Sequence, residues 1–200
     1  MLTIYLLRHG ETSWNADNNR YCGRTDIELT ERGIRQAEEV NRQLQGIEFR
    51  GVYSSPLQRA YRTACIASGR DDVKKDERLI EADFGEWEGK TKEEFIALNP
   101  TLWTNWMNDP GVARAGGTGE SGADIVKRVD NFFQSLQDNF NSGNFLVVAH
   151  NGINRLYLAH KLGMPLKNYR QLVQQNSSVT CFTLDSNTVL TLELLNSKLR

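Results

Sequence analysis

Two hundred residues with 39% hydrophobic content predict one globular domain, residues 1–200, long enough to bury a sizeable core. Lys and Arg total 24 against 25 Asp and Glu, a net charge of -1, which argues against a nucleic-acid or membrane-surface partner. No run of about 18 apolar residues is present for a transmembrane helix, and Arg8 comes too early for the apolar core of a signal peptide. Cys22, Cys65 and Cys181 are odd in number and form no C-x-x-C pair, so they read as reduced thiols of a cytoplasmic protein.

The chain alternates strand-like and helix-like segments, which predicts an α/β layered fold. Ile4 to Leu7 is the first buried strand, followed by Arg8-His9-Gly10, where glycine gives the backbone room to turn sharply. Thr30 caps a helix bearing Ile34, Ala37, Val40 and Leu44 at helical spacing. Gly51 to Ser54 is a short strand, and Ser55-Pro56 is expected to start a helix as N-cap and first helical residue. Glu77 to Glu81 reads as extended. Thr91 and Glu94 form a capping box for a helix with Phe95 and Leu98. Pro100 interrupts it, and a second helical piece carries Trp103 and Trp106. Asn108 to Gly122 reads as loop; residues from about 84 to 120 form an insert over the sheet. Ser121 caps a long helix, Phe145 to Ala149 is a near-continuous apolar strand of the kind found inside parallel sheets, and His150 ends it. Gly152 to Leu162 is a helix closed by Gly163, and Val179–Leu184 with Val189–Leu195 form a terminal hairpin around residues 185–187.

Two of the three histidines, His9 and His150, end the two most apolar strands, each near a glycine. Parallel neighbours about 4.8 Å apart would bring these imidazoles together at the carboxyl edge of a sheet, where ligands of open α/β folds collect. Arg8 offers a planar fork for phosphate oxygens, and a neutral imidazole is a competent nucleophile near pH 7. Arg59 follows another strand and lies near a helix N-terminus, which favours anions. Glu81, after an apolar pair and among aromatics and glycine, is a candidate proton donor; Asp83, Glu86 and Glu88 are weaker ones. His160, inside a helix, reads as structural. Gly85-x-x-x-Gly89-Lys90-Thr91 is one residue short of a P-loop and follows no buried strand.

Arg8-His9-Gly10-Glu11-Thr12, Ser55-Pro56-Leu57-Gln58-Arg59-Ala60, Glu81 through Gly89, Gly119-Glu120-Ser121 and Val147-Val148-Ala149-His150 occur in an order that resembles the histidine phosphatase superfamily, the phosphoglycerate-mutase-like enzymes. The resemblance implies a three-layer α/β/α sandwich with a mostly parallel central sheet. It implies His9 as phosphorylated nucleophile, Arg8, Arg59 and His150 as phosphate clamp, and Glu81 as general acid. Asn15 and Gly23 match positions that contact the phosphoryl group, and Glu120 resembles a residue that supports the site from behind. No metal or other cofactor is required on this reading, and no D-x-D or histidine-pair ligand pattern stands out.

Three positions depart from the commoner family pattern. Cys22 lies where Ser or Thr is frequent, Phe84 where similar mutases carry tyrosine, and Asn151 where glycine usually follows the second histidine. Asn151 would tolerate a positive φ or offer its amide to substrate. Mutases resembling this chain carry a longer basic insert that grips a carboxylate. This one is short and holds Trp87, Trp103 and Trp106, which favours a phosphatase acting on a small phosphorylated metabolite over a mutase or a silent phosphate-binding regulator. The tryptophans either line a specificity pocket or, as the stronger expectation, pack the insert onto the sheet. The terminal hairpin and exposed helices leave a homodimer open.

Overall fold

The apolar segments of the sequence assemble into one six-stranded sheet in a computed structural model that describes residues 1–197. The strands are β1 (Leu2–Arg8), β2 (Phe49–Ser54), β3 (Lys74–Lys75), β4 (Gly143–Ala149), β5 (Val179–Leu184) and β6 (Leu190–Ser197). Their order across the sheet is β3-β2-β4-β1-β5-β6. β1, β2, β3 and β4 run parallel, whereas β5 and β6 are antiparallel to their neighbours, as a hairpin requires.

The side-chain alternation of the strands divides the core between two faces. Ile4, Leu6, Phe145 and Val147 face α6 (Gly122–Asn139) and α7 (Asn151–Lys161), where Ile125, Val129, Phe132, Phe133 and Tyr157 meet them. Leu7, Val52, Leu146 and Val148 face α2 (Glu31–Gln43) and α3 (Gln58–Ser68) through Val40, Ala60 and Ala64. The result is the expected α/β/α arrangement. α4 (Lys92–Leu98) and α5 (Pro100–Asn108) lie in the insert, and a short α1 (Ser13–Ala16), unanticipated from the sequence, follows the first turn. The predicted caps hold at Thr30, Thr91 and Ser121, whose hydroxyls accept from the backbone N–H groups of Gly33, Glu94 and Asp124.

Two local expectations fail for identifiable reasons. Ser55 does not cap α3. Its N–H still donates to the Val148 carbonyl at 3.0 Å, so the chain remains tied to β4, and α3 begins at Gln58 with an extended Leu57 at its N-cap. Glu77 to Glu81 is not extended: Asp76 accepts from the Arg78 N–H and closes a 3-10 turn over Glu77–Leu79. Gly10, where the sequence expects a sharp turn, is glycine because of close approach. Its φ is not positive, and a Cβ there would stand 2.5 Å from the Gly33 carbonyl oxygen of α2. Among the described residues no helix is long and apolar enough to cross a membrane.

Candidate active site

β1 and β4 end in register, Arg8 opposite Ala149, and the His9 N–H donates to the Ala149 carbonyl at 3.0 Å. Adjacent parallel strands therefore deliver His9 and His150 to one edge, with ring centroids 5.2 Å apart. The Nδ1 atom of His9 lies 2.6 Å from the Gly10 carbonyl oxygen. A carbonyl only accepts, so Nδ1 carries the proton and Nε2 keeps its lone pair. Burial, reinforced by the Arg59 and Arg8 charges, holds the His9 pKa well below the usual imidazole range. His9 is neutral at pH 7 and has a nucleophilic nitrogen.

The groups around it are buried and incompletely satisfied. Arg8 spends Nη1 on the Gln174 carbonyl at 2.9 Å, and Arg59 spends its terminal nitrogens on the carbonyls of Thr25 and Gly23 at 2.8 and 2.7 Å. Both Nε atoms, and both ring nitrogens of His150, are buried with no partner among the described residues. Burial lowers the Arg8 pKa to about 10, against the opposing pull of Glu81, and also lowers that of Arg59; both remain cations at neutral pH. Burial, then Arg59 and His9, push the His150 imidazole well down. Neutral His150 carries one N–H, so three of these nitrogens are donors; each left unpaired costs about 1–3 kcal/mol, and the cluster calls for an anion that accepts from them.

Glu81 stands against the start of α7. Its Oε1 accepts from the N–H groups of Ala82 (2.9 Å) and Ile153 (3.2 Å), and its Oε2 from Gly152 at 3.2 Å. Gly152 has to be glycine: a Cβ would lie 2.7 Å from Oε1 and 3.3 Å from the Phe84 ring. The loop that presents Glu81 is tied from behind. Glu120 pairs with Arg128 at 2.9 Å and accepts from the Asp83 N–H, while Arg128 donates to the carbonyls of Arg78 and Ile80, each at 2.7 Å.

A cleft of about 120 Å³ opens above these groups, small against the roughly 300–1,000 Å³ of drug-sized sites. Arg8, His9, Asn15, Cys22, Glu81, Phe84 and Asn151 border it. Arg59 and His150 lie buried beneath, and Gly23 sits behind Arg59 as the acceptor of its guanidinium. Asn151 is helical, so its positive-φ reading falls; its side-chain Oδ1 has no partner among the described residues, in keeping with an amide offered to substrate. Burial pushes the Cys22 thiol up, and its sulfur sits 3.8 Å from the Thr12 hydroxyl.

Residues 4–198 match the histidine phosphatase superfamily (branch 1). The chain belongs to that superfamily. This histidine phosphatase is 32% identical to phosphoserine phosphatase 1 of Hydrogenobacter thermophilus over 97% of its own length and 92% of the relative's. It is 34% identical to the adenosylcobalamin/alpha-ribazole phosphatase of Escherichia coli, over 82% and 81% of the two chains. Among solved structures, a phosphoserine phosphatase mutant of Entamoeba histolytica in complex with phosphoserine superposes with a TM-score of 0.90 at 31% identity, covering 99% of this chain and 98% of the other.

Sequence reasoning about this phosphatase missed part of the cleft wall. Asn19, Arg20, Tyr21, Arg155, Tyr169 and Arg170 also border it. The expected tryptophans do not. Trp87 stacks on Phe95 at 4.7 Å and meets Trp106 edge-on at 5.9 Å, both buried in the core. They pack the insert onto the sheet, the stronger of the two expectations. Of the insert, only Phe84 reaches the cleft. The one available signal for Arg155 was its spacing, one turn beyond Asn151 on the helix that follows His150.

Proposed function

We propose that this chain hydrolyses phosphoric monoesters of small metabolites through a phosphohistidine on His9. The observation that carries the reading is the set of four partnerless buried nitrogens, on Arg8, Arg59 and His150, around a neutral imidazole whose Nε2 is free. A phosphoryl group seated there accepts from both guanidinium Nε–H groups and from the single N–H that neutral His150 carries. The phosphatases it resembles act on substrates as different as phosphoserine and alpha-ribazole phosphate, so the shared chemistry is that of the phosphoryl group.

In the first step His9 Nε2 attacks phosphorus in line. The N–P bond forms, the P–O bond to the leaving group breaks, and the departing oxygen takes the carboxyl proton of Glu81. The guanidiniums of Arg8 and Arg59 and the His150 imidazole stabilise the negative charge on the equatorial oxygens. In the second step the Glu81 carboxylate removes a proton from water. The new O–P bond forms as the N–P bond breaks, and inorganic phosphate leaves with His9 neutral again. The bond that Nδ1–H of His9 donates to the Gly10 carbonyl keeps the ring in one tautomer throughout.

The test is a rapid quench with a radiolabelled monoester. The reading expects label on the protein in an acid-labile, base-stable form that is absent from His9→Ala. Turnover in His9→Ala equal to wild type, or a wild type that never carries label during turnover, overturns it.

A further inference from the structure

Four arginines and one glutamate border the cleft, and only part of that positive charge has an assigned use. Arg8 belongs to the phosphoryl clamp, and Arg20 is paired with Asp17 at 2.6 Å and Glu94 at 2.8 Å. Arg155 and Arg170 form no ion pair among the described residues. Each is held along one edge. Arg155 donates from Nε to the Tyr169 carbonyl at 3.3 Å and lies 5.1 Å over the Tyr169 ring. Arg170 donates from Nη1 to the hydroxyls of Tyr21 and Tyr169, both at 3.2 Å, and lies 5.0 Å over the Trp103 ring. The terminal nitrogens of Arg155, and Nε and Nη2 of Arg170, make no protein hydrogen bond among the described residues. Burial, and further the neighbouring Arg170 charge, work against protonation of Arg155. Two half-buried guanidiniums of like charge are held side by side with no counter-ion, on rigid aromatic supports, beside the reacting centre.

We propose that Arg155 and Arg170 form a subsite for a second anionic group on the substrate, a carboxylate or a second phosphate. The proposal rests on the phosphatase reading and adds the substrate class to it. The spacing follows from α7. Glu81, which protonates the leaving oxygen, is seated on the N–H groups of Gly152 and Ile153. Asn151 and Arg155 are four residues apart and share a helix face, so Arg155 follows that seat by less than one helical turn of chain and borders the same cleft. A cleft of about 120 Å³ shared by both groups suits an anion only a few bonds from the phosphate ester oxygen. Planar guanidiniums with free donors match such a group bidentately. Asn151, one turn before Arg155, borders the same cleft with its Oδ1 unpaired among the described residues.

The experiment compares three monoesters of one carbon skeleton: 3-phosphoglycerate, glycerol 3-phosphate, in which a hydroxymethyl replaces the carboxylate, and propane-1,3-diyl bisphosphate. kcat/KM is measured for wild type, Arg155→Met, Arg170→Met and the double variant; Kd for each compound is measured on His9→Ala by calorimetry. Charge-assisted hydrogen bonds predict that wild type favours at least one anionic compound over glycerol 3-phosphate by about tenfold or more. Which one it favours identifies the anion. The preference should fall toward unity in the double variant, and Arg170→Lys should keep part of it. Equal handling of all three compounds by wild type overturns the proposal, as does a preference that survives the double substitution. If the double variant does not fold, Arg155→Met alone carries the comparison, since methionine still packs on Tyr169. If no monoester is turned over, the phosphatase reading fails and the Kd ratio on His9→Ala still decides the subsite.

Discussion

Acid should unfold this protein through its two active-site histidines before its carboxylates titrate. His9 and His150 are fully buried, and both have pKa values well below 6.5 in the folded chain. Unfolding returns them toward 6.5, so below that pH the unfolded state binds more protons and stability rises with pH. Their contribution is complete above about pH 7 and is lost as pH falls from 6.5 toward the folded values. Each proton taken up only on unfolding steepens the dependence by about 1.4 kcal/mol per pH unit. Between pH 7 and 5.5 each histidine can cost up to about 1.3 kcal/mol, the limit set by the unfolded value of 6.5, and the pair up to about 2.5 kcal/mol, a large fraction of a typical domain stability of about 5–15 kcal/mol. The shifted carboxylates Asp76 and Glu120 are lowered, from 3.8 and 4.5, and take no part in this window. Urea titrations followed by tryptophan fluorescence at the two pH values measure the effect directly. The double variant His9→Gln/His150→Gln should lose most of the difference. A wild-type midpoint that does not move between pH 7 and 5.5, or a double variant that keeps the full shift, refutes the reasoning. Orthovanadate or phosphate should flatten the dependence, because a bound anion raises the folded pKa of His150.

Gly152→Ala is expected to lower kcat by at least about tenfold with a small change in KM, because its Cβ, 2.7 Å from Oε1, displaces Glu81; steady-state kinetics check it. Arg128→Met should cost about 1–3 kcal/mol in urea unfolding and reduce kcat, since it leaves Glu120 with Arg24 as its one remaining arginine partner and frees the carbonyls of Arg78 and Ile80 behind the Glu81 loop. Asn176→Ala removes the amide that donates to the His9 carbonyl and to Asn15 Oδ1, both at 3.1 Å; a fall in kcat of about tenfold without loss of thermal midpoint is the expected signature. Incubation with 3-phosphoglycerate and a bisphosphate primer should yield inorganic phosphate, with little 2-phosphoglycerate in a coupled enolase assay.

What could be read from the sequence was whatever local pattern determines. An apolar run ending in histidine states both its strand and its exit edge, so His9 and His150 were legible as a pair before any coordinates. Caps at Thr30, Thr91 and Ser121 were legible because the bonding partner lies three residues away. Ser55 was not, because the bond that delays α3 comes from Val148, ninety-three residues away in sequence and adjacent only in the sheet. β3 has two exposed lysines and no apolar signature, and is a strand only because β2 offers an edge. Arg155 and Arg170 look like ordinary helix and loop arginines. Their lack of counter-ions is a property of the assembled wall, formed where α7, Tyr21 and the turn at Leu166–Gln171 meet.

The tertiary arrangement also reassigns the aromatic insert. A site with partnerless buried donors, neutral histidines and adjacent cations is destabilising until an anion enters. Such a site persists only where the surrounding packing fixes it. Trp87, Phe95 and Trp106 supply that packing, tied to the cleft wall by the Trp106 indole N–H, which donates to the Tyr169 hydroxyl at 3.1 Å. Tyr169 in turn orients both Arg155 and Arg170, and Trp103 lies under Arg170. Apart from Phe84, the insert thus reaches the cleft only through the arginines it holds. Truncating Trp106 should therefore lower stability and blur the preference for anionic substrates together, while replacing Arg155 should affect the preference far more than stability. If the two classes of variant had the same profile, the insert would be touching substrate itself.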